Sequence, residues 1–332
     1  MAKVVRFHQY GGPEVLRIDD LPVGDPGPGE VRIRVGAFGL NRVDAMYRAG
    51  QFLPCEFPSR IGYEAAGVIE AVGAGVTGWQ AGNRVATLFG LPMEQYGTNA
   101  DAIRYPANLL VPVPAGTSLT EAAASWMQYG TAYGIVEVGK LTAGHFVAIN
   151  AASSSVGLAA IQIANDHGAV PIALTRGRGK AEALKGEGAA HVIVTDEEDV
   201  GARLREITGG HGIDIAFDAV AGQPLATLLE TMAPMGIVIV YGMLAGYSLE
   251  LSLGPIMMNN VTLRGFAVNT LIDHPDSRKR LVDYITAGLA SGALRPTVDS
   301  TFALEEIAAA HHHLESNTQL GKIVVITASA GE

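Results

Sequence analysis

The stretch 144–176 (GHFVAINAASSSVGLAAIQIANDHGAVPIALTR) constrains the fold of this chain more than any other part of it. An apolar run at 146–150 is followed by small residues at 151–155 and then by helical spacing of apolar residues over 156–167. A second apolar run, 170–175, has the length of a strand. Strand, small-residue turn, helix and strand in this order predict the first unit of a doubly wound nucleotide-binding sheet.

The turn in this unit has the spacing Ala151-x-x-Ser154-x-x-Gly157, which keeps only the last glycine of the usual fingerprint. Small residues let a pyrophosphate approach the backbone, and a helix N-terminus offers it free N–H groups and the positive end of the dipole. We therefore interpret the turn as a cofactor turn. The alternative is a helix start that binds no phosphate.

The end of the second strand indicates which dinucleotide the turn would hold. An NAD site typically has an acid there, which accepts hydrogen bonds from the ribose 2′-hydroxyl. This chain has 175–180 (TRGRGK) instead, with three cations and no acid. Because cations suit a 2′-phosphate, the sequence predicts NADPH as the cofactor, and the alternative is a solvated basic loop.

Composition narrows the class of protein. The 332 residues exceed one ordinary core, so we expect two domains. A net charge of −10 (23 cationic against 33 anionic side chains) argues against nucleic acid or an anionic membrane as the main partner. The single cysteine, Cys55, excludes an internal disulfide and a multi-cysteine zinc site, and we expect it to be a small buried hydrophobe. With neither a signal-like N-terminus nor a membrane-spanning apolar run, we expect a cytoplasmic protein.

The distribution of glycine, proline and apolar patterns predicts where the domains of the chain begin and end. Residues 1–122 are strand-rich and predict a barrel-like β module, whereas 119–138 has helical composition with Thr120 as the expected cap. Strands alternating with helices are predicted near 146–150, 170–175, 191–195, 213–218, 236–241 and 261–267. The tail after 268 is too short for a core of its own, so we expect it to return to the first module. The predicted domains are 1–122 with 269–332, and 123–268.

Several motifs occur in the order and spacing of a known family. They are 10–16 (YGGPEVL), 39–44 (GLNRVD), 62–69 (GYEAAGVI), 82–85 (GNRV), 130–134 (GTAYG) and 154–162 (SSVGLAAIQ). Over nearly its full length the chain resembles the medium-chain dehydrogenase/reductase superfamily, and within it the zinc-independent quinone oxidoreductases and enoyl reductases. The resemblance implies an α/β protein with a GroES-like β-barrel catalytic domain and a doubly wound Rossmann domain that binds NADPH.

The chain departs from the zinc alcohol dehydrogenases of that superfamily at their metal ligands. Those enzymes carry cysteine at the position that matches Asn41, histidine at the position that matches Tyr63 and another cysteine near Gln128, and this chain has none of these ligands. Glu64 alone cannot hold a catalytic zinc, which needs about three protein ligands. The sequence therefore predicts no metal site.

Without a metal, the accessible chemistry is hydride transfer to the electron-poor carbon of a quinone or an α,β-unsaturated carbonyl compound. Such a reaction needs donors for the substrate oxygen and a source of a proton. The candidate catalytic residues are Asn41, Tyr47 and Tyr63. Tyr47 lies one residue later than in similar quinone reductases, and Phe52 stands where some enoyl-thioester reductases have a tyrosine.

The resemblance also implies a set of cofactor contacts. We expect Thr131, Phe266, Val268, Asn41 and Lys322 on the nicotinamide side, Ser154, Ser155 and Val156 at the pyrophosphate, Thr175, Arg176 and Lys180 at the adenosine phosphate, and Val220, Tyr241 and Gly242 at strand ends.

Three alternatives to a quinone or enone reductase stay open: a reductase of carrier-bound enoyl thioesters, an NADPH-binding structural or sensor protein with little turnover, and an alcohol dehydrogenase. The family also implies a homodimer formed through the apolar stretch 254–266, for which a core role is the alternative. The tract His311-His312-His313 is expected to be a solvated helix face.

Overall fold

The computed structural model describes residues 1–328, so 329–332, the end of the predicted segment 269–332, lie outside the described residues. The chain forms two compact units. The first comprises Met1–Met127, Pro275–Ala290 and the chain from Pro296 onward, and the second comprises Gln128–His274 and Ser291–Arg295.

The N-terminal segment is rich in strands, as predicted. Its elements are β1 (Ala2–Phe7), β2 (Leu16–Leu21), β3 (Glu30–Gly39), α1 (Arg42–Arg48), β4 (Ser59–Arg60), β5 (Glu64–Val72), β6 (Arg84–Thr87), α2 (Met93–Tyr96), β7 (Ala102–Pro106), β8 (Leu110–Pro112) and α3 (Leu119–Ala123).

The middle of the chain alternates strands with helices. Its elements are α4 (Trp126–Ala132), α5 (Gly134–Glu137), β9 (Phe146–Ile149), α6 (Ser155–Asp166), β10 (Val170–Thr175), α7 (Ala181–Gly186), β11 (His191–Val194), α8 (Val200–Ile207), β12 (Ile213–Asp218), α9 (Gly222–Leu229), β13 (Met232–Val240), α10 (Leu253–Met258), β14 (Thr262–Gly265) and α11 (Asn269–Asp273). The C-terminal elements are α12 (Pro275–Ser291), β15 (Val298–Ala303), α13 (Ile307–Ser316) and β16 (Lys322–Ile326).

Two sheets form the first unit. One has the order β15-β16-β3-β5-β6-β8, with β7 also paired to β3, and the other has the order β2-β1-β4. Strand β16 runs antiparallel to β3, with Val324 opposite Gly39. Strand β16 of the C-terminal tail therefore lies in the same sheet as the N-terminal strand β3.

The second unit contains a parallel sheet in the order β11-β10-β9-β12-β13-β14. The order reverses between β9 and β12, which is the switch point of a doubly wound fold. All six strands predicted from the sequence are present. Buried aliphatic side chains such as Ile172, Ile193, Leu204 and Leu228 form its core.

Two local expectations were wrong. Ser118, rather than Thr120, caps α3, because its hydroxyl accepts the Glu121 N–H and the Glu121 carboxylate accepts the Ser118 N–H. Cys55 is only half-buried. Among the described residues, no helix is both long and apolar enough to cross a membrane.

The histidine tract is not a uniformly solvated face. His311 is fully buried, and its Nδ1 accepts a hydrogen bond from Arg48 Nη1 over 3.1 Å. Burial, and then the Arg48 charge, lower the pKa of His311 to about 3, so the ring is neutral. His312 is exposed, and His313 Nε2 lies 2.8 Å from an Asp299 carboxylate oxygen.

The stretch 254–266 belongs to the core only at Val261 and Phe266, which are buried. Met257 and Met258 are 73% and 82% exposed, and β14 is exposed along its whole length. Strand β14 is also the last strand of its sheet. A core role therefore accounts for Val261 and Phe266 but not for β14, and contact with a second copy through this stretch stays a prediction.

Candidate active site

Asn41 lies at the turn between β3 and α1. Its N–H donates to Asp44 Oδ2 over 2.8 Å, which caps the helix and fixes the loop. Gly39 before it leaves room for this turn, because a Cβ there would lie 2.4 Å from the Ala123 carbonyl oxygen and 2.5 Å from Lys322 Cε. A close approach of three chain segments therefore positions Asn41.

A buried ion pair holds the Asn41 side chain. Lys322 Nζ donates to Glu64 Oε1, and both side chains are 1% exposed. Lys322 also donates to Asn41 Oδ1 over 2.7 Å, while Asn41 Nδ2 donates to Glu64 Oε1 over 3.1 Å. The Met127 N–H donates to Glu64 Oε2 over 3.0 Å. Three strands and the end of a helix thus converge on one polar cluster in the first unit.

Asp44 lies beside this cluster and has no ion-pair partner among residues 1–328. It is fully buried, and its Oδ1 accepts no hydrogen bond within the described residues. Burial raises the pKa of Asp44 to about 7; the Asn41 N–H and the charges of Lys322 and Arg48 only partly oppose this, and Glu64 adds to it. The carboxyl is therefore able to hold a proton near neutral pH.

The two candidate tyrosines of the first unit differ in their hydroxyl groups. Tyr47 is buried, and its hydroxyl lies 2.9 Å from Ser59 Oγ. Tyr63 is 8% exposed, and its hydroxyl makes no hydrogen bond within the described part of the chain. Burial, and then the Asp44 charge, raise the pKa of Tyr63 to about 12, so it keeps its proton at neutral pH. Of the two, Tyr63 has the uncommitted donor.

In the second unit, the turn after β9 has the features of an anion site. Ser154 caps α6, and its Oγ accepts the Gly157 N–H over 3.1 Å. The N–H groups of Ser155 and Val156 precede the first intrahelical bonds and are the free donors of a helix start. A Cβ on Gly157 would lie 2.5 Å from the Ala152 carbonyl oxygen, so only glycine lets the helix pack this closely against the turn.

The three cationic side chains of the basic loop after β10 differ in their contacts. The Arg176 side chain is exposed, and no described residue bonds to it. Arg178 Nε donates to Glu197 Oε2 over 2.9 Å. Lys180 Nζ donates to Ser153 Oγ over 3.2 Å, which places a cation against the turn after β9. Thr175, the last residue of β10, is buried.

Two polar residues that the sequence reasoning missed hold the ends of β9 and β12. Asn150 Nδ2 donates to Asp218 Oδ1 over 2.8 Å, and the Ala221 N–H donates to Asp218 Oδ2 over 2.6 Å. Ala221 has φ 56° and ψ −156°, a conformation that glycine normally supplies. The signal was present, since both polar side chains immediately follow or end neighbouring parallel strands.

The remaining predicted contacts also lie at strand ends of the second unit. Val220 and Gly242 follow β12 and β13. Tyr241 stacks on Phe217 with ring centroids 4.1 Å apart, and its hydroxyl is buried without a hydrogen bond among the described residues. Phe266 packs on Gly134, where a Cβ would lie 2.6 Å from the ring.

Thr131 on α4 and Val268 after β14 are both buried. The sequence-predicted residues therefore form two groups: Asn41, Tyr47, Tyr63 and Lys322 in the first unit, and the other predicted cofactor contacts in the second.

Comparison with known proteins identifies the family of this chain. Residues 27–115 match the alcohol dehydrogenase GroES-like domain, and residues 155–287 match the zinc-binding dehydrogenase family. The quinone oxidoreductase of Pseudomonas aeruginosa is 32% identical, over 98% of this chain and all of that protein. The 2-haloacrylate reductase of a Burkholderia species is 32% identical, over 98% of each. The crystal structure of Escherichia coli quinone oxidoreductase complexed with NADPH has a TM-score of 0.91 at 28% identity, covering 98% of this chain and 100% of that one.

The chain belongs to the quinone oxidoreductase-like branch of the medium-chain dehydrogenase/reductase superfamily and is an oxidoreductase. Its first unit contains the GroES-like sheet domain, and its second unit contains the Rossmann-like domain.

Despite the name of the second family, the side chains of Asn41, Tyr63 and Gln128 are not of the types that usually bind zinc, and the carboxylate of Glu64 is bonded to Lys322. Within residues 1–328, no group of three or more histidine, cysteine or acidic side chains is arranged to hold a metal ion.

Proposed function

We propose that this protein is an NADPH-dependent, zinc-independent reductase that transfers hydride to quinones or α,β-unsaturated carbonyl compounds. The observation that carries the proposal is the combination of a free helix start at Ser155 with a basic loop in place of an acid at the end of β10. The NADPH complex of the Escherichia coli relative supports the same cofactor for this chain.

The residues of the second unit fit a dinucleotide. The N–H groups of Ser155 and Val156, at the positive end of α6, would hold the pyrophosphate. Arg176 and Lys180 would hold the 2′-phosphate through charge-assisted hydrogen bonds. The buried, unpartnered hydroxyl of Tyr241 is a polar atom that a ligand group can satisfy.

When bound, the reduced nicotinamide supplies the hydride. The chain itself must hold the substrate oxygen, on which negative charge collects, and must deliver a proton. Tyr63 has an uncommitted hydroxyl that stays protonated at neutral pH, so we assign it the donor role. Asn41 is held by Lys322 and Glu64, which fixes its amide in one orientation.

Metal-assisted alcohol oxidation is the less suitable reaction for this set of side chains. A catalytic zinc needs about three nitrogen, sulfur or carboxylate ligands, and Asn41 and Tyr63 supply none of the usual types. The amide and phenol groups suit hydrogen bonding to an oxygen that becomes negatively charged. A carrier-bound thioester or a binding role with little turnover has no specific support among the described residues.

We also propose a homodimer formed through β14. The strand is exposed and last in its sheet, and Leu263, Met257 and Met258 expose apolar surface beside it. Light scattering should give twice the mass of the chain, and a monomeric mass would exclude this arrangement. The predicted domain limits (1–122 with 269–332, and 123–268) and the cytoplasmic location likewise stay predictions.

The decisive experiment is cofactor consumption by the purified protein. NADPH and NADH are supplied in parallel with a small quinone, a simple enone and a 2-haloacrylate, with and without chelator. We expect NADPH to be oxidised much faster than NADH and the rate to be indifferent to the chelator. Saturable NADPH binding without turnover on any acceptor would contradict the reductase proposal, and loss of activity with the chelator would contradict zinc independence.

A matched pair of variants tests the phosphate assignment. Arg176→Ala should weaken NADPH binding by about ten- to a hundredfold and leave NADH binding unchanged, since one charge-assisted contact is lost. Arg205→Ala, on α8, removes an exposed arginine outside the basic loop and should change neither. Equal losses for both cofactors in Arg176→Ala would contradict the assignment.

A further inference from the structure

The carboxylate of Glu197 reaches the basic loop that follows β10. Arg178 Nε donates to Glu197 Oε2 over 2.9 Å, and Arg178 Nη2 donates to the same oxygen. The two side chains are 77% and 41% exposed, so a ligand can reach the pair from solvent. The Glu197 carboxylate has a lowered pKa because Arg178 bonds to it, and it is ionised at neutral pH.

Backbone contacts between the two strand ends place Glu197 at the basic loop. The Thr195 N–H donates to the Thr175 carbonyl over 2.8 Å, and the Asp196 N–H donates to the Arg176 carbonyl over 3.3 Å. These bonds continue the parallel pairing of β10 and β11 past the ends of both strands. Because the sheet fixes both loops, Glu197 lies opposite the basic loop without any rearrangement.

The neighbouring acids have other roles. Asp199 caps α8 by accepting the Ala202 N–H over 2.9 Å. Glu198 accepts a hydrogen bond from Arg203 Nε over 2.9 Å. Within the described residues, Glu197 is thus the acid of this turn whose side chain bonds to the basic loop. Its bond to Arg178 makes one of the three cationic side chains of this loop less available to a bound anion.

We propose that Glu197 is a specificity-determining residue, which competes with the 2′-phosphate of NADPH for the guanidinium of Arg178. The proposal rests on the proposed use of NADPH. An arginine binds phosphate and carboxylate oxygens with the same planar fork of donors, so NADPH exchanges one anion for the other on Arg178. NADH has a hydroxyl at that position and leaves the pair intact. Glu197 therefore lowers the affinity for NADPH and not the affinity for NADH.

This competition has a consequence for turnover. Oxidised cofactor keeps the 2′-phosphate and must leave before the next reduction. The Glu197 carboxylate bonds to the Arg178 guanidinium again as the phosphate leaves. This raises the dissociation rate of the oxidised cofactor. Glu197 thus adjusts cofactor exchange as well as cofactor choice.

The variant Glu197→Gln tests the proposal by binding alone. Calorimetric titrations with NADPH and NADH, and with the fragments 2′,5′-ADP and 5′-AMP, measure affinity without any turnover. We expect the dissociation constants of NADPH and 2′,5′-ADP to fall by about two- to fivefold, the scale of an exposed ion pair. Those of NADH and 5′-AMP should not change.

Two controls separate this contact from a general charge effect. Glu182→Gln, on α7, removes an exposed carboxylate that pairs with Lys185 at 2.8 Å, and it should leave all four affinities unchanged. In an Arg178→Ala background, Glu197→Gln should give a smaller gain than in the wild type. Thermal unfolding of each variant should match that of the wild type, because both side chains are at the surface.

Unchanged NADPH affinity in Glu197→Gln, or an equal gain for NADH, would overturn the proposal. A wild-type protein that binds both cofactors equally would instead remove the NADPH assignment on which the proposal rests. That outcome is read from the wild type before any variant is made, so the two failures are distinguishable.

Discussion

Lys322 and Glu64, 258 positions apart in the chain, form an ion pair from which water is excluded, with each side chain 1% exposed. Removing one partner of such a pair leaves an uncompensated buried charge. Lys322→Met should therefore lower the free energy of unfolding at neutral pH by about 3–5 kcal/mol, measured by urea denaturation.

The double variant Lys322→Met with Glu64→Gln is the matched control. A glutamine can still accept the Met127 N–H that Glu64 accepts over 3.0 Å, and no charge is left buried. We expect the double variant to recover most of the stability lost in the single one. A double variant as unstable as Lys322→Met would mean that the Lys322 side chain stabilises the protein through its packing and not through its charge.

Asp44 should lower the free energy of unfolding as pH rises towards 7, the opposite of the effect of a carboxyl group whose pKa is lowered by folding. Burial raises its pKa from 3.8 to about 7, so the folded protein binds this proton more tightly than the unfolded chain does. The stabilising effect of the proton is present below the unfolded pKa and is lost as pH rises through about 7. Asp44→Asn should remove this slope. Between pH 4 and pH 8 the Asp44 proton changes the free energy of unfolding by a few kcal/mol. Each tenfold difference in proton affinity between the folded and unfolded chain is worth on the order of 1.4 kcal/mol.

Urea denaturation across that pH range measures the effect. Asn can still accept the Asn41 N–H that Asp44 Oδ2 accepts, so the helix cap is kept. Asp25→Asn is the control for removing a carboxylate at the surface, since the Asp25 side chain is 96% exposed. Identical pH slopes in Asp44→Asn and the wild type would show that Asp44 is ionised in the folded protein.

The two tyrosines of the first unit should separate catalysis from stability. Tyr63→Phe removes an uncommitted donor, and on the proposed mechanism kcat should fall by about 10²–10⁴-fold with little change in unfolding. Tyr47→Phe breaks the 2.9 Å contact with Ser59 and should cost about 1 kcal/mol of stability with a much smaller loss of turnover. The reverse pattern would move the proton donor to Tyr47.

The sequence predicts the second unit well because its signals are local. Apolar runs mark β9 to β14, and short connections with right-handed crossovers leave few possible orders for a parallel sheet. The turn from Ala151 to Gly157 was likewise recognisable, because spacing within a few residues determines where a helix start lies.

The first unit is harder to predict because its site depends on distant pairs. Nothing near Lys322 indicates that it will meet Glu64, and the resemblance suggested only a cofactor contact for it. The same holds for His311, which is buried because Arg48 reaches it from α1. The spacing of apolar residues predicts which face of a helix a residue lies on. Its hydrogen-bond partner depends on how distant parts of the chain pack together, which the spacing does not indicate.

Ala221 provides a prediction about strain in the loop after β12. With φ 56° and ψ −156° it occupies a region that costs a residue with a Cβ roughly 1–3 kcal/mol. Its N–H bond to Asp218 Oδ2, 2.6 Å long, holds it there. Ala221→Gly relieves the strain, partly offset by the greater freedom of glycine in the unfolded chain, and should raise the free energy of unfolding by about 1 kcal/mol.

A helical alanine of the same segment is the control. Ala226 lies within α9, where glycine should lower the free energy of unfolding by about 1 kcal/mol. If the strained loop is pre-organised for the cofactor beside Val220, Ala221→Gly should also weaken NADPH binding while it stabilises the protein, because the relaxed loop must then be ordered on binding. Destabilisation by Ala221→Gly would mean that contacts of the Ala221 methyl group outweigh the backbone strain.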